Sequence, residues 1–373
     1  MLDPKSSPLF EAWKNPETGL EVWLLSAEQA PLQQSFYFTS DCMSRDGRYL
    51  WFYSAFPPSG SGSDGRMLGV VDSEEQTIRI FPDTQFQHAS PFVDPVTAEV
   101  YWATGASIWR RGPQPDAGAE FVNSLPQEVM RGRKVTKLAT HLSRSPDGSE
   151  FFVDVAMWPR YVFGTLPVDG GDFQFWHQFD RMHNHAQFSP GDPGLVLFAE
   201  EFHSEPITGL RFPITNRMWT IRRGEDPRSV YREPTVCSHE WWDPDGVHAW
   251  SVWQQKETWR ANVQTGEYER FDWPVKACLH SHSSKDGRYL VCDATDNFYR
   301  GCATTVHFKD CRSGKTLKII DNPAMDGYIG SNYHIDPHPR FCCGDRFVVF
   351  TATVRGRVDV AMVRTDDLVA AIG

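Results

Sequence analysis

The sequence predicts an all-β fold, a seven-bladed β-propeller, because one turn recurs seven times along the 373 residues. Each turn places an aspartate, usually with a glycine, before an apolar run, and the aspartates are Asp46, Asp94, Asp147, Asp192, Asp245, Asp286 and Asp345. Successive aspartates lie 41 to 59 residues apart, which is the length of one blade. Asp and Gly favour tight turns, and the aromatic and β-branched residues that follow suit a half-buried strand.

A second set of turns alternates with the first, at residues 16–23, 72–81, 167–176, 225–231, 263–271 and 311–320. Two hairpin turns in each period of about fifty residues predict four antiparallel strands in each blade. A closed ring also needs its two ends to pair, since an open edge leaves backbone groups without partners. We therefore expect residues 21–25 to pair with residues 358–363, so that 1–373 forms a single domain. A β-sandwich or a two-domain β protein is the alternative.

Composition argues against nucleic-acid binding and against a membrane protein. The net charge of −11 argues against a general nucleic-acid binder, and the most basic window, RGRKVTK (131–137), does not offset it. The start of the chain (MLDPKSSPLF) lacks the pattern of a secretory signal, and no run of 18 apolar residues occurs. The sequence therefore predicts a soluble, cytoplasmic protein without membrane contact, and it leaves the oligomeric state open.

Cysteine and histidine recur at similar positions before consecutive blade turns. Cys237 and His239 precede one turn, and Cys278 and His280 precede the next. The loop before the following turn adds three more candidates: His334, Asp336 and His338. Residues i and i+2 of a strand point the same way, so we expect these groups to converge on a metal ion. Thiolate with imidazole favours Zn²⁺, while imidazole with carboxylate also suits Mn²⁺. Histidines that are satisfied separately on blade loops are the alternative.

Further candidates follow from residue type. His239 stands beside Glu240 and aromatic residues and is suited to proton abstraction near neutral pH, while Trp241 is a candidate sugar contact. Arg217 could present its planar guanidinium to a carboxylate, or it could form a structural salt bridge between blades. Three more histidines are candidates, His141 and His185 as catalytic acid/base partners and His203 as a substrate contact. No nucleophile elbow, phosphate loop or dinucleotide fingerprint follows a predicted strand.

The order of motifs in the second half resembles a known family. These motifs are H-x-QFSP-x-DP-x-L-x-x-F-x-x-E (185–200), R-x-WTI (217–221), HE-x-W-x-PDG (239–246), a TGE turn (265–267), a histidine four residues before an S-x-DG turn (His280), and H-P-x-F (338–341). They resemble the oligogalacturonate lyases over roughly residues 183–363. That family consists of seven-bladed propellers that cleave uronate oligosaccharides by β-elimination with a divalent metal, usually Mn²⁺.

The resemblance implies roles for four residues of this chain. His239 matches the general base, His280 and His338 match two metal ligands, and Arg217 matches an arginine near the substrate carboxylate.

Two departures alter the expected metal site. Tyr333 and Asp336 stand where the family has a glutamine and a further histidine, so His334 is expected to substitute. Cys237 and Cys278 instead resemble the related ulvan lyases, whose zinc is held by cysteines and histidines.

Together these features predict a lyase that acts on an anionic uronate glycan, such as oligogalacturonate or ulvan, and forms a 4,5-unsaturated product. Neutralising the substrate carboxylate, by Arg217 or a metal, makes removal of the C5 proton tolerable. A non-catalytic propeller that binds sugars or proteins and a metal-dependent hydrolase or isomerase are the alternatives.

Overall fold

The structure is a computed structural model that describes residues 2–205, 207–297 and 301–373, without the side chain of His203. The chain begins with β1 (Phe10–Lys14) and β2 (Glu21–Leu25), which belong to the last blade. The first blade contains β3 (Leu32–Gln34), β4 (Tyr49–Ala55), β5 (Asp64–Asp72) and β6 (Thr77–Gln87). The second contains β7 (Phe92–Val93), β8 (Val100–Thr104), β9 (Ser107–Arg111) and β10 (Glu120–Ser124). After α1 (Gln127–Met130), the third contains β11 (Ser143–Arg144), β12 (Glu150–Met157), β13 (Arg160–Pro167) and β14 (Gln174–Phe179).

The fourth blade contains β15 (His183–Ser189) and β16 (Asp192–Glu200), then a hairpin of β17 (His203–Ser204) and β18 (Arg211–Phe212), then β19 (Met218–Arg222) and β20 (Arg228–Ser229). The fifth contains β21 (Cys237–Trp242), β22 (His248–Trp253), β23 (Glu257–Asn262) and β24 (Tyr268–Asp272). The sixth contains β25 (Cys278–Ser283), β26 (Tyr289–Thr295), β27 (Thr304–Asp310) and β28 (Thr316–Asn322). A 3₁₀ turn (Asp326–Tyr328), β29 (Arg340–Cys342), β30 (Phe347–Ala352), β31 (Asp359–Arg364) and α2 (Thr365–Ile372) complete the chain. The predicted seven-bladed propeller with four-stranded antiparallel blades is confirmed, and in the described part of the chain the last blade has a fifth strand.

Chain contacts divide the protein into two compact units. The first unit consists of Met1–Val100, Arg111–Ala119 and Trp273–Gly373, and it contains the first, sixth and last blades. The second unit consists of Tyr101–Arg110 and Glu120–Asp272, and it contains the third, fourth and fifth blades. That residues 1–373 form a single domain stays a prediction.

The recurrent turn connects the first strand of a blade to the second. In the first blade, Asp46 accepts hydrogen bonds from the Ser44 hydroxyl at 2.6 Å and from the Arg48 amide at 2.9 Å, while Gly47 takes a φ of +71°. Asp147 and Asp286 accept the equivalent bonds in the third and sixth blades. The left-handed conformation explains the glycine, and the accepted bonds explain the aspartate.

The last blade is assembled from both ends of the chain, as the sequence predicted. Strand β2 pairs with β31 through Trp23 opposite Met362 and Leu24 opposite Ala361, and the order of the sheet is β1, β2, β31, β30, β29. Leu24 and Ala361 are fully buried in one apolar cluster with side chains from β26 to β28 and from α2. Among the described residues, no helix is long and apolar enough to cross a membrane.

Candidate active site

The first strands of the fourth, fifth and sixth blades share an irregularity that contains a histidine. Strands β15, β21 and β25 each contain a β-bulge. At the bulge, the strand advances by three residues while its partner advances by only two. The bulged stretches contain His185, His239 and His280, each four residues before the first residue of its blade turn. A bulge redirects side chains away from the regular alternation, and bulges are common beside active sites.

Four candidate histidines also have a left-handed backbone conformation. The φ angles are +56° at His185, +52° at His239, +55° at His334 and +46° at His338. Side chains with a Cβ atom rarely adopt this region, and such strain persists where surrounding structure imposes it, often at functional sites.

Within the first unit, four side chains form a group that we call the histidine–aspartate group: His280, His334, Asp336 and His338. One donor atom from each lies within 4.8 Å of the others. The rings of His280 and His338 have centroids 4.3 Å apart, and Nε2 of His334 lies 2.8 Å from a carboxylate oxygen of Asp336. All but His334 are buried. The predicted approach of His280, His334 and His338 is therefore present in the structure.

A carboxylate behind the group orients two of its members. Asp293 on β26 is fully buried and accepts hydrogen bonds from the His280 amide at 2.8 Å and the His338 amide at 3.0 Å. Nδ1 of His280 lies 2.9 Å from the same carboxylate. Nδ1 thus carries the proton of this contact, and Nε2 is left as a ligand atom, the usual arrangement behind a metal-binding imidazole.

Residues of the first blade pack against the histidine–aspartate group. The ring of Tyr37 has its centroid 4.9 Å from that of His338 and 5.7 Å from that of His280. The side-chain Nε2 of Gln34 donates to the His334 carbonyl at 2.8 Å. A Cβ atom on Gly62 would lie only 2.8 Å from Cβ of His334. The 58–65 loop therefore packs closely against this group.

The donor set of the histidine–aspartate group fits a divalent metal. Three imidazoles and one carboxylate suit Mn²⁺, and imidazole and carboxylate oxygen also bind Zn²⁺. The predicted thiol ligands are not among the four. Sγ of Cys278 instead lies 3.9 Å from the carbonyl oxygen of His280. Cys237 is buried in the second unit, where burial and the Glu240 charge raise the pKa of its thiol to about 12.

In the second unit, Glu240 joins His185 to Arg217. Nδ1 of His185 lies 3.4 Å from one oxygen of Glu240, and Nε of Arg217 donates to the other at 3.1 Å. Arg217 also pairs with Glu201, and its side chain is only 6% exposed. These contacts favour the structural salt bridge that the sequence left open for Arg217, because its charge is already shared by two carboxylates of the protein.

His185 lies among basic groups that keep it uncharged. Its ring forms an edge contact with His141, with centroids 5.0 Å apart. Burial lowers the pKa of His185 well below the usual value, and the charges of His141, Arg217, Lys137 and His239 add to the effect. His185 is therefore a neutral imidazole at neutral pH, and His239 lies within its electrostatic reach.

Two predicted substrate contacts have different outcomes. Trp241 is 3% exposed and stacks on Trp250 with an interplanar angle of 5°, so its ring packs in the core and presents no face to a sugar. The expected role of Trp241 is corrected accordingly. The side chain of His203 lies outside the described residues.

Two buried aspartates at equivalent positions were not among the residues predicted from the sequence. Asp154 and Asp293 both stand seven residues after the aspartate of their blade turn and interrupt an apolar strand. Asp154 accepts hydrogen bonds from the amides of Thr140, at 2.6 Å, and Ala186, at 3.3 Å. A charged residue inside an otherwise apolar run was the available signal, since such a residue is buried only with partners.

Comparison with known proteins gives near full-length matches. No family model matches the chain. In an alignment of 397 positions, it is 26% identical to an oligogalacturonide lyase of Pectobacterium atrosepticum, and the match covers 96% of this chain and 97% of the relative. In an alignment of 424 positions, it is likewise 26% identical to an oligogalacturonate lyase of Dickeya dadantii, and the match covers 98% of both chains.

Solved structures agree in fold. An oligogalacturonate lyase in complex with manganese matches with a TM-score of 0.73 and 19% identity, covering 96% of this chain and 97% of that one. An oligogalacturonate lyase from Vibrio parahaemolyticus matches with a TM-score of 0.73 and 18% identity, covering 95% and 96% of the two chains. The similarity that the sequence motifs predicted is confirmed and extends from half of the chain to nearly all of it.

Proposed function

We propose that this protein is a lyase that cleaves short galacturonate oligosaccharides by β-elimination. The observation that carries the proposal is the near full-length similarity to two oligogalacturonate-type lyases in a chain that gathers three histidines and an aspartate within 4.8 Å. The substrate is an anionic uronate chain, and the reaction removes the C5 proton, breaks the C4–O bond and leaves a C4–C5 double bond.

In this proposal His239 is the general base. It takes the C5 proton as a neutral imidazole, and its bulged, left-handed backbone is the kind of strained position that enzymes retain for a catalytic group. The electron pair of the C–H bond becomes the new double bond as the C4 oxygen departs with the cleaved sugar. The proton is returned to that oxygen, so no water is consumed.

We assign His185 the role of a neutral hydrogen-bond acceptor for a hydroxyl group of the substrate, because its Nδ1 faces Glu240 and leaves only the unprotonated Nε2 for that contact. Its contact with Glu240 sets the orientation of the ring, and Arg217 holds Glu240 in turn. Arg217 is then a positioning residue, because its guanidinium is already paired with Glu240 and Glu201.

The metal in this proposal is Mn²⁺, held by His280, His334, Asp336 and His338. When bound, a divalent cation supplies positive charge to the uronate carboxylate and so makes the C5 proton more acidic. Zn²⁺ is the competing ion. The absence of a thiol from these four donors favours Mn²⁺ and an oligogalacturonate substrate over the ulvan-lyase alternative.

The proposal is tested by following ultraviolet absorbance during incubation with oligogalacturonate and Mn²⁺, because only elimination creates a conjugated double bond. We expect His239→Ala to lower the rate by about 10²–10⁴-fold, the usual contribution of a general base. His248→Ala is the matched control, because His248 forms a turn contact with Asp245 at 2.7 Å.

Other outcomes would identify the alternatives. New reducing ends without an absorbance change would indicate a hydrolase, and binding without any cleavage would indicate a non-catalytic module. Full activity of His239→Ala would refute the base assignment alone. Activity on ulvan or glucuronan in place of oligogalacturonate would support the elimination reaction and refute the assignment of oligogalacturonate as the substrate.

A further inference from the structure

A second set of potential metal ligands lies in the first unit. Unlike the histidine–aspartate group, it contains two thiols. Sγ of Cys42 and Sγ of Cys342 are 3.6 Å apart, and a carboxylate oxygen of Asp41 completes a set of three donor atoms within 4.8 Å of one another. Cys42 is 2% exposed and Cys342 is 1% exposed. We call these three residues the thiol group.

We propose that the thiol group is a structural binding site for a thiophilic divalent cation, Zn²⁺, distinct from the histidine–aspartate group. A tetrahedral zinc ion with Zn–S bonds of about 2.3 Å holds two sulfur atoms about 3.8 Å apart. The observed 3.6 Å between the two sulfurs is close to that spacing. A disulfide requires about 2.0 Å, so the thiols would have to approach by about 1.6 Å. The sulfur spacing therefore favours a shared metal ion over a covalent bond.

Charge at the thiol group also agrees with a divalent ion. When they bind an ion, the two cysteines lose their protons, and together with the carboxylate they carry three negative charges in a largely buried place. Arg340 stands two residues before Cys342 on β29 and lies within electrostatic range of it. One divalent cation together with this guanidinium neutralises the set, and buried charges are tolerated when they are balanced in this way. A water molecule is expected as the fourth ligand, since three protein donors leave one tetrahedral position.

The position of the thiol group gives the ion a structural task. The segment from Tyr37 to Cys42 contacts the segment from His338 to Cys342 at several points. Tyr37 packs on His338, and Arg340 donates to the Phe38 carbonyl at 2.7 Å. An ion bound by Asp41, Cys42 and Cys342 would clamp these two stretches together, although they are separated by about 300 residues in sequence. Closing so long a loop is where a metal clip stabilises a chain most.

Cobalt provides a direct test, because Co²⁺ bound by thiolate shows a charge-transfer band in the near ultraviolet that Co²⁺ bound by histidine lacks. The full-length reduced, metal-free protein is titrated with Co²⁺. We expect the band to develop with one ion per chain and to disappear when Zn²⁺ is added. Cys42→Ala removes the band. Cys311→Ala, which deletes a partly exposed thiol elsewhere in the first unit, is the matched control and retains it.

Two further variants separate this site from the histidine–aspartate group and from misfolding. His338→Ala keeps the thiolate band, because His338 is not a member of the thiol group. Asp41→Asn preserves both thiols and lowers the affinity for Co²⁺ at least tenfold. The proposal is wrong if the wild-type protein gives no thiolate band, if Cys42→Ala keeps it, or if intact-mass analysis finds Cys42 and Cys342 joined as a disulfide. None of these readouts depends on lyase activity.

Discussion

Replacing Asp293 by asparagine tests how the histidine–aspartate group is organised. The change keeps the size of the side chain and removes its negative charge. The carboxylate faces three nitrogen atoms, the amides of His280 and His338 and Nδ1 of His280, at 2.8, 3.0 and 2.9 Å. Asparagine offers one accepting oxygen, and its NH₂ group then faces an N–H donor. At least one buried donor loses its partner.

The magnitude follows from those contacts. An unsatisfied buried donor costs about 1–3 kcal/mol in the free energy of unfolding, and weakening the carboxylate behind a metal-binding histidine lowers metal affinity about 10- to 100-fold. Calorimetric titration with Mn²⁺ measures the affinity, and denaturant unfolding of the metal-free protein measures the stability. Asp321→Asn, on the same blade in an exposed ion pair with Lys318, is the control and should change neither quantity appreciably.

An unchanged Mn²⁺ affinity in folded Asp293→Asn would refute this reasoning, even if the protein were less stable. It would mean that Asp293 only satisfies backbone amides and does not set the orientation of His280.

Three other predictions concern different parts of the protein. Gly62→Ala brings a methyl group to within 2.8 Å of Cβ of His334, so we expect calorimetric titration to show about tenfold weaker Mn²⁺ binding. The control is Gly118→Ala, whose methyl group meets nothing within 4 Å and leaves the Mn²⁺ affinity unchanged. Burial lowers the pKa of His307 to about 4. The unfolded chain therefore binds a proton from about pH 6.5 downward that the folded protein does not, and stability falls on acidification by up to about 1.4 kcal/mol per pH unit until pH 4. His307→Gln should remove that contribution in denaturant titrations across this range. Trp241→Ala should lower the free energy of unfolding by about 3–5 kcal/mol with little change in KM, and the reverse pattern would restore its role as a sugar contact.

The fold could be predicted because its signals are local. A turn such as the one at Asp46 needs an aspartate acceptor and a left-handed glycine within a few residues, and both are visible in sequence. The pairing of the two chain ends was also predictable, since a closed ring leaves no other partner for the segment around Trp23.

The candidate site was only partly predictable, because bulges break the alternation on which the prediction relied. The pairs Cys237 with His239 and Cys278 with His280 were expected to share a face, as residues i and i+2 do in a regular strand. A bulge interrupts both strands, and the thiol of Cys278 lies against the His280 backbone instead of joining its ring. The partners of Arg217 were equally hidden, since Glu201 and Glu240 lie 16 and 23 residues away in sequence and reach it only through the packing of the folded chain.

The blade shared by both chain ends has a consequence for synthesis of the protein. Strand β2 leaves the ribosome more than three hundred residues before its partner β31. Until then the apolar side chains of Val22 and Leu24, fully buried in the finished protein, stay beside an unpaired strand edge. The nascent chain therefore has an aggregation-prone segment until β31 has been made, which makes this hairpin the place where chaperone binding would matter most. A translation arrest shortly before residue 359 should yield a chain that lacks β31 and is therefore open, prone to aggregate and sensitive to proteases.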